Sequence, residues 1–493
     1  MMLTGMIAME PPRVKIAGGT LEGTVDAATG VREFKAVPYA APPVGNLRWR
    51  EPEPPAPWKG VRKADAFGPR PMQLPLYSDM MFRSPGVSED CLTLNVWSPP
   101  KAKGRPVLVY FYGGGFQAGA ADEARYDGLA MAQRGVVSIT VNYRLGIFGF
   151  LAHPELTQES PHHASGNYGL LDQAAALKWV RKNVAAFGGD PKRITIGGES
   201  AGSFSVSAQM ASPLSKNLIA GAIGESGAML GSTLAAFPLA EAERAGAAFG
   251  GSIDAPSLAA LRAISAQELL EKSQRTRFGL VVDGYFLPKP ARTIYEAGEQ
   301  AHVPLLAGWN SAESGAGSVL GNTPATPEGL ATALRRLYGD DADAAIRAYA
   351  ATDDAAAQRA ATDLASDRFI GYGTWKWLDL HAKTGGKPVY RYFYVQPRPG
   401  ENGASHSAEI EYALGNLGLN PHYAWTDDDR KTSSALIQYW TNFVRSGDPN
   451  GPGLPTWPTL QKGAVMRLGP EPVAEPDRTQ ARYGFLDSRT GGR

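Results

Sequence analysis

Arg193-Ile194-Thr195-Ile196-Gly197-Gly198-Glu199-Ser200-Ala201-Gly202 sets a serine directly behind a short β-branched run, with glycines two residues before it and two after. The Ile-Thr-Ile run reads as a strand, and Ser203 to Met210, free of proline and glycine, reads as a helix. A serine on the sharp turn between them needs small flanking residues so that the backbone can bend, and the two glycines supply that. Such a turn lifts the hydroxyl above the strand end, and the first turn of the helix aims N–H groups at developing negative charge. In a chain with 57 glycines the pentapeptide also arises by chance. An ordinary glycine-rich turn is therefore the competing reading, to be decided by whether a base, an acid and an oxyanion site accompany the serine.

Around this stretch, short apolar runs alternate with helical ones. The strand candidates are Val107 to Tyr112, Val136 to Tyr143, Arg193 to Gly197, Leu218 to Gly224, Val303 to Leu306 and Val389 to Val395. Between the second and third, Leu170, Leu171, Ala174, Leu177, Val180 and Val184 recur at helical spacing, with Lys178, Arg181 and Lys182 on other faces. This is a βαβ crossover, and the pattern predicts an α/β fold: one large, mostly parallel sheet flanked by helices. The alanine-rich stretches near Ala235 to Ala263 and Pro327 to Ala365 interrupt the alternation. They predict helix-rich insertions, roughly residues 230–300 and 320–385, that shape a pocket in a single domain spanning 1–493.

A general base belongs in a loop at the carboxyl end of a strand in such a sheet. His406 stands there, after the Val389 to Val395 run and before the helical Ala408 to Leu414. His302 begins a strand, and His162 and His163 sit in a polar loop, so these read as structural or solvated. For the acid, Glu313 follows the Val303 to Leu306 strand; Asp283, in Val281-Val282-Asp283-Gly284, is the rival but has the sequence of a plain turn. The order Ser200, Glu313, His406 is that of an α/β-hydrolase triad. Gly113-Gly114-Gly115 follows the Val107 to Tyr112 strand, and bare backbone N–H groups there, with that of Ala201, form a candidate oxyanion hole. Tyr112, Phe116, Phe204 and Met229, near these parts, are candidates for an apolar acyl or alcohol pocket, though such side chains serve equally well as core.

Composition removes other classes. Lys+Arg at 49 against Asp+Glu at 48 leaves no global field for nucleic acid or an anionic membrane. With the single cysteine Cys91 there is no intrachain disulfide and no thiolate metal cluster. Neither a His-Glu-x-x-His zinc motif nor a phosphate or dinucleotide loop occurs, so no metal and no cofactor is expected. The chain has no run of 18 apolar residues, and Met1 to Glu10 lacks the layout of a signal peptide. A soluble, cytoplasmic monomer acting on a small-molecule ester is the expectation; a leader removed upstream would instead imply a secreted or periplasmic protein.

Longer motifs extend this reading. Phe34 through Trp49 (FKAVPYAAPPVGNLRW), Glu89 through Val96 (EDCLTLNV), Asn142-Tyr143-Arg144-Leu145-Gly146, Phe187 through Gly202, Gly308-Trp309-Asn310 before Glu313, His406 before Glu409-Ile410-Glu411, and Trp440-Thr441-Asn442-Phe443 appear in order along nearly the whole chain. In them the sequence resembles the type-B carboxylesterases, the group of the bacterial para-nitrobenzyl esterases and animal cholinesterases. The resemblance implies an α/β-hydrolase fold, ester hydrolysis by Ser200, Glu313 and His406, and oxyanion donors at Gly114, Gly115 and Ala201. It also implies Glu199 and Ser226 as buried supporting groups beside the histidine. Tyr112 stands where many members have histidine; the cholinesterases resemble this chain in having tyrosine there. Cys91 matches a residue that is disulfide-bonded in animal members; without a partner, the loop Ala66 to Asp90 must be held by packing alone, which predicts a mobile loop. That loop has no tryptophan for choline, so choline esters are not expected as preferred substrates; the apolar side chains named above imply small to medium, largely apolar esters instead. Amides, carbamates or bulky multi-esters are the alternative, and a non-catalytic binding protein of this fold is a distant one, since all catalytic parts are present.

Overall fold

The structure, a computed structural model, describes residues 10–490. The reading of Met1 to Glu10 falls almost wholly outside them. Eleven strands form the central sheet: β1 (Thr24–Val25), β2 (Arg32–Pro38), β3 (Thr93–Ser98), β4 (Arg105–Phe111), β5 (Val137–Val141), β6 (Gly189–Glu199), β7 (Gly221–Glu225), β8 (Leu305–Asn310), β9 (Val389–Tyr394), β10 (Ala464–Leu468) and β11 (Val473–Pro476). Their spatial order is β11-β10-β9-β8-β7-β6-β4-β5-β3-β2-β1. Every pairing from β10 across to β5 is parallel. Pairings at both margins are antiparallel. The central strands β5, β7 and β8 are buried along their whole length, which is why they read as unbroken apolar or small-residue runs.

Helix α1 (Tyr168–Asn183) is the crossover from β5 to β6. It buries Leu170, Leu177 and Val180 and exposes Lys178, Arg181 and Lys182, the last two at its carboxyl end where cations suit the dipole. Arg144, just after β5, is locked to Asp172 of this helix by two buried contacts, Nε to Oδ2 at 2.8 Å and Nη2 to Oδ1 at 2.7 Å. The chain leaves β4 for β5 on one side and returns through α1 to β6 on the other. The strand order therefore reverses at β4, and in open α/β sheets ligand sites form at the carboxyl ends beside such a switch.

Helix α2 (Ala201–Ala211) begins at the residue after Ser200 and is wholly buried. Outside the sheet, helices Leu239–Ser252, Leu258–Ala263, Ala266–Ser273 and Ala291–Glu296 lie between β7 and β8. Helices Pro327–Tyr338, Ala342–Ala348, Asp354–Ser366 and Tyr372–Thr384 lie between β8 and β9. Among the described residues, no helix is long and apolar enough to cross a membrane.

The turn from β6 to α2 works only because three backbone segments nearly touch. A Cβ on Gly202 would run into the Phe111 carbonyl oxygen at the end of β4, and one on Gly198 would meet both Gly202 and that same oxygen. Gly202→Ala should therefore destabilise the protein by about 1–3 kcal/mol, the usual cost of overpacking. Gly251→Ala, where a Cβ meets nothing within 4 Å, should stay within about 0.5 kcal/mol of wild type or gain slightly. Urea unfolding followed by circular dichroism compares the two, and equal losses would mean that the close approach at Gly202 is not a constraint.

Candidate active site

Strands β9, β8, β7, β6 and β4 are consecutive neighbours, so their carboxyl ends share one edge. Gly113 to Gly115 follow β4, Ser200 follows β6, Ser226 follows β7, Glu313 lies just past β8 and His406 sits in the loop after β9. The edge thus gathers Ser200, Glu313 and His406 from strands far apart in sequence.

Ser200 has φ 53° and ψ −123°, a conformation that costs a non-glycine residue about 1–3 kcal/mol. Two backbone bonds hold it: its N–H donates to the Glu225 carbonyl at 2.8 Å, and its carbonyl accepts the Phe204 N–H at 2.9 Å. Its Oγ is 2.9 Å from His406 Nε2, and His406 Nδ1 is 2.6 Å from Glu313 Oε2. The Phe369 ring stands edge-on to the imidazole at 5.1 Å between centroids. Glu313 Oε1 accepts the Asn310 N–H at 2.6 Å and the Ser226 hydroxyl at 2.5 Å, so both of its oxygens are committed.

Two further carboxyl groups adjoin this chain of contacts. Glu199 Oε1 is 3.3 Å from His406 Nε2. Glu409 Oε1 is 3.0 Å from Ser226 Oγ, and its Oε2 accepts the Asn310 side-chain N–H at 2.6 Å. Burial first, and then the negative charge of Glu313, pushes Glu409's pKa up. Ser226 has one hydroxyl proton, which its shorter contact directs to Glu313; Glu409 in its acid form can then donate to Ser226. Burial likewise pushes Glu199 up to about 8, with the His406 cation pulling the other way. Burial alone would lower the pKa of the His406 imidazole, but Glu199 and Glu313 outweigh it and carry it up to about 9. Glu199 and His406 thus contest one proton.

Gly114 and Gly115 turn with φ 111° and 62°, and among the described residues their N–H groups have no acceptor. Ala201 opens α2, where N–H groups have no intrahelical partner. A Cβ on Gly113 would lie 2.6 Å from Glu199 Oε2, so the glycine run also makes room for that acid. The three donors expected from sequence are unoccupied N–H groups beside the serine.

The proposed pocket side chains are elsewhere. Tyr112 is buried against Tyr143, ring centroids 4.3 Å apart, and its hydroxyl donates to the Tyr143 carbonyl at 3.0 Å. Phe116 packs on Phe150 at 5.0 Å, Phe204 is buried under Gly227, and Met229 is buried with its N–H on Ser207 Oγ at 3.0 Å. None of the four lines the cavity of about 480 Å³ that contains Ser200 and His406. Its wall is charged instead: Asp79, Arg125, Arg277, Arg398 and Glu401, with Tyr77 and Tyr423. Thr233, Leu234 and Arg277 come from the first helical insertion. Phe369 and Ile370 come from the second, at a π-helical turn, Asp367–Gly371. Such turns recur at functional sites because they rotate side chains out of helical register.

The loop Ala66 to Asp90 is held by charge as well as packing, contrary to the expectation from its unpaired Cys91. Asp79 pairs with Arg125 at 2.8 Å, Arg83 pairs with Asp127 at 2.7 Å, and Asp122 accepts the N–H groups of Arg83 and Ser84 at 2.6 Å each. Cys91 is free and buried, and burial pushes its thiol pKa up, away from reactivity. Asp283 is spent on its own turn, accepting from Asn167, Tyr285 and Leu287 at 2.9, 3.1 and 2.8 Å. His162 stacks on Tyr285 at 3.7 Å, while His302 and His381 bond backbone carbonyls. Arg125, Arg277 and Arg398 carried no sequence signal of their own; Glu409, three residues after His406, stood inside the Glu409-Ile410-Glu411 motif.

Residues 10–486 match the carboxylesterase family. Fumonisin B1 esterase of Sphingopyxis macrogoltabida is 36% identical over 489 residues, which cover 94% of this chain and 88% of the relative. Pyrethroid hydrolase Ces2e of Rattus norvegicus is 34% identical over 502 residues, covering 92% and 85%. Cocaine esterase of Homo sapiens is 32% identical over 508 residues, covering 92% and 86%. Likeness of this length, on an eleven-stranded sheet whose carboxyl edge carries a strained serine, leaves one conclusion: the chain belongs to the carboxylesterase family and is a carboxylic ester hydrolase.

Proposed function

We propose that this chain hydrolyses small to medium carboxylic esters through an acyl-enzyme on Ser200. The observation that carries the reading is the continuous contact from Ser200 Oγ through His406 to Glu313, at 2.9 and 2.6 Å, on a serine held in strain. Ser200 Oγ attacks the ester carbonyl as His406 Nε2 takes its proton. Glu313 holds the ring by Nδ1 and stabilises the imidazolium without taking the proton itself. The N–H groups of Gly114, Gly115 and Ala201 receive the negative oxygen of the tetrahedral intermediate. His406 then protonates the departing alcohol, and water repeats the sequence on the acyl-enzyme. A cavity of about 480 Å³ suits a ligand of modest size. Its wall, apolar at Met80, Leu234, Phe369 and Ile370 and charged at Asp79, Arg125, Arg277, Arg398 and Glu401, supports esters that carry a polar group beside the largely apolar ones expected from sequence.

Ser200→Ala should abolish turnover of a 4-nitrophenyl ester; retention of more than about one per cent of kcat would remove Ser200 from the nucleophile's role. Gly114→Val should lower kcat by at least ~100-fold, because a Cβ there collides with the Ala118 carbonyl and displaces the donor. An unaltered kcat would place the oxyanion donors elsewhere.

The contested proton sets a pH dependence. Only neutral His406 can accept the serine proton, so activity must rise with pH as the imidazolium, favoured up to about 9 by the adjoining carboxylates, loses its proton. In Glu199→Gln the negative charge that favours the imidazolium is gone, so the acidic limb of the kcat/KM profile should move to lower pH. A limb that stays in place or moves upward would show that Glu199 does not tune the base.

A further inference from the structure

The charges on the cavity wall are not all answered by the protein. Arg125 pairs with Asp79 at 2.8 Å and with the buried Glu123 behind it. Arg398 pairs with the buried Glu411 at 2.8 Å. Glu401 accepts hydroxyl hydrogen bonds from Ser405 at 2.7 Å and Tyr423 at 3.4 Å. Glu199 contests a proton with His406, 3.3 Å from its Nε2. Arg277 is different: among the described residues it has neither an ion pair nor a hydrogen bond, although it lines the cavity with Ser200 and His406.

Its position is specific. The point where a Cβ on Gly115 would sit is 3.7 Å from Arg277 Nη2 and 3.3 Å from the Tyr77 hydroxyl. Tyr77 too has no hydrogen-bond partner among the described residues. A guanidinium fork and a phenol donor, both exposed to solvent and without a bonded protein partner among the described residues, therefore converge on the glycine proposed to bind the ester oxygen. Neither is needed for the chemistry of a neutral ester, which the Gly114, Gly115 and Ala201 donors already serve. Convergent donors of this kind match a planar carboxylate, which a guanidinium binds through two parallel N–H contacts while a hydroxyl takes a remaining lone pair.

We propose that Arg277, assisted by Tyr77, is a specificity-determining residue that binds a free carboxylate on the substrate, making the preferred substrates half-esters of polycarboxylic acids or esters of carboxylate-bearing alcohols. The proposal rests on the esterase reading above and names its substrate class. The other charged groups facing the same space are already committed, Arg125 to Asp79 and Glu123, Arg398 to Glu411, Glu401 to the Ser405 and Tyr423 hydroxyls and His406 to Ser200 and Glu313, which leaves Arg277 as the lining cation with no carboxylate bonded to it among the described residues.

The test compares kcat/KM for mono(4-nitrophenyl) adipate with that for 4-nitrophenyl heptanoate, its neutral counterpart of similar length, and for 4-carboxyphenyl butyrate with that for 4-methylphenyl butyrate. The first pair carries the charge on the acyl side and the second on the alcohol side. In wild type at least one pair should favour the anionic ester. Arg277→Ala should lower that anionic-to-neutral ratio by at least ~10-fold, as expected for loss of a charge-assisted contact. Arg277→Lys should keep part of the ratio, Arg277→Glu should lower it further than alanine, and Tyr77→Phe should lower it less. Ratios in both pairs that stay within ~2-fold of wild type in Arg277→Ala and Arg277→Glu would overturn the assignment. Failure of the esterase reading looks different, because wild type would then turn over none of the four esters. Calorimetric titration of Ser200→Ala protein with monomethyl adipate keeps the question open to test in that case. Binding at least ~10-fold weaker after Arg277→Ala supports the carboxylate site, and equal binding overturns it.

Discussion

The contact on which this site depends is between backbones: the end of β4 passes so close to the β6–α2 turn that neither Gly198 nor Gly202 can carry a side chain against the Phe111 carbonyl. That approach does two things at once. It forces Ser200 into its strained φ of 53°, lifting the hydroxyl off the sheet, and it brings the glycine run after β4 alongside the first turn of α2. The proposed nucleophile and oxyanion donors come from segments about ninety residues apart, yet their relative position is fixed by atoms that cannot yield. A site held this way loses little to reorganisation when charge develops, which is where preorganised donors gain their effect.

Behind that contact lies an unusual concentration of acid. Glu199, Glu225, Glu313 and Glu409 are all buried at the ends of adjoining strands or in the loop facing them. Four charges there would repel one another strongly, and burial shifts three of the four toward the acid form. Burial pushes up the pKa of Glu199, Glu225 and Glu409 alike. Glu313 alone among them faces the histidine's Nδ1 while accepting two more hydrogen bonds, from Asn310 and Ser226. Burial thus biases Glu225 and Glu409 toward neutral hydrogen-bonding groups around the histidine, while Glu199 shares the proton of His406.

Sequence reached some of this and not the rest, for identifiable reasons. The strand β5 and the helix α1 were plain because burial on both faces, or on one, writes a continuous or helical apolar pattern. The marginal strands β1, β2, β10 and β11 were not, since short antiparallel edges mix buried and exposed positions without a clear period. Ser200, Glu313 and His406 were legible because chain order and strand ends constrain them; the structure then extended β8 to Asn310, whose own N–H fixes the Glu313 carboxylate. The pocket was misread because adjacency in sequence was taken for adjacency in space. Phe116 follows the oxyanion glycines directly, but with φ 59° it turns inward onto Phe150.

What lines the cavity instead comes from loops and insertions that share no local pattern, and its electrostatics follow from the core beneath it. Glu123, behind Arg125, is pushed up to about 7 by burial, against the pull of that arginine. Near neutral pH it is only partly charged, so Arg125 leans on the exposed Asp79, and the 66–90 loop is drawn to the cavity by that pair. A wall built over half-protonated carboxylates is more positive than a count of its acids and bases suggests. An anionic group entering near Arg277 meets a guanidinium with no rival carboxylate bonded to it, while a cation would have to compete with Arg125 and Arg398 for acids already in use. The burial that prepares the histidine's proton acceptor thereby also biases the sign of charge that the cavity admits.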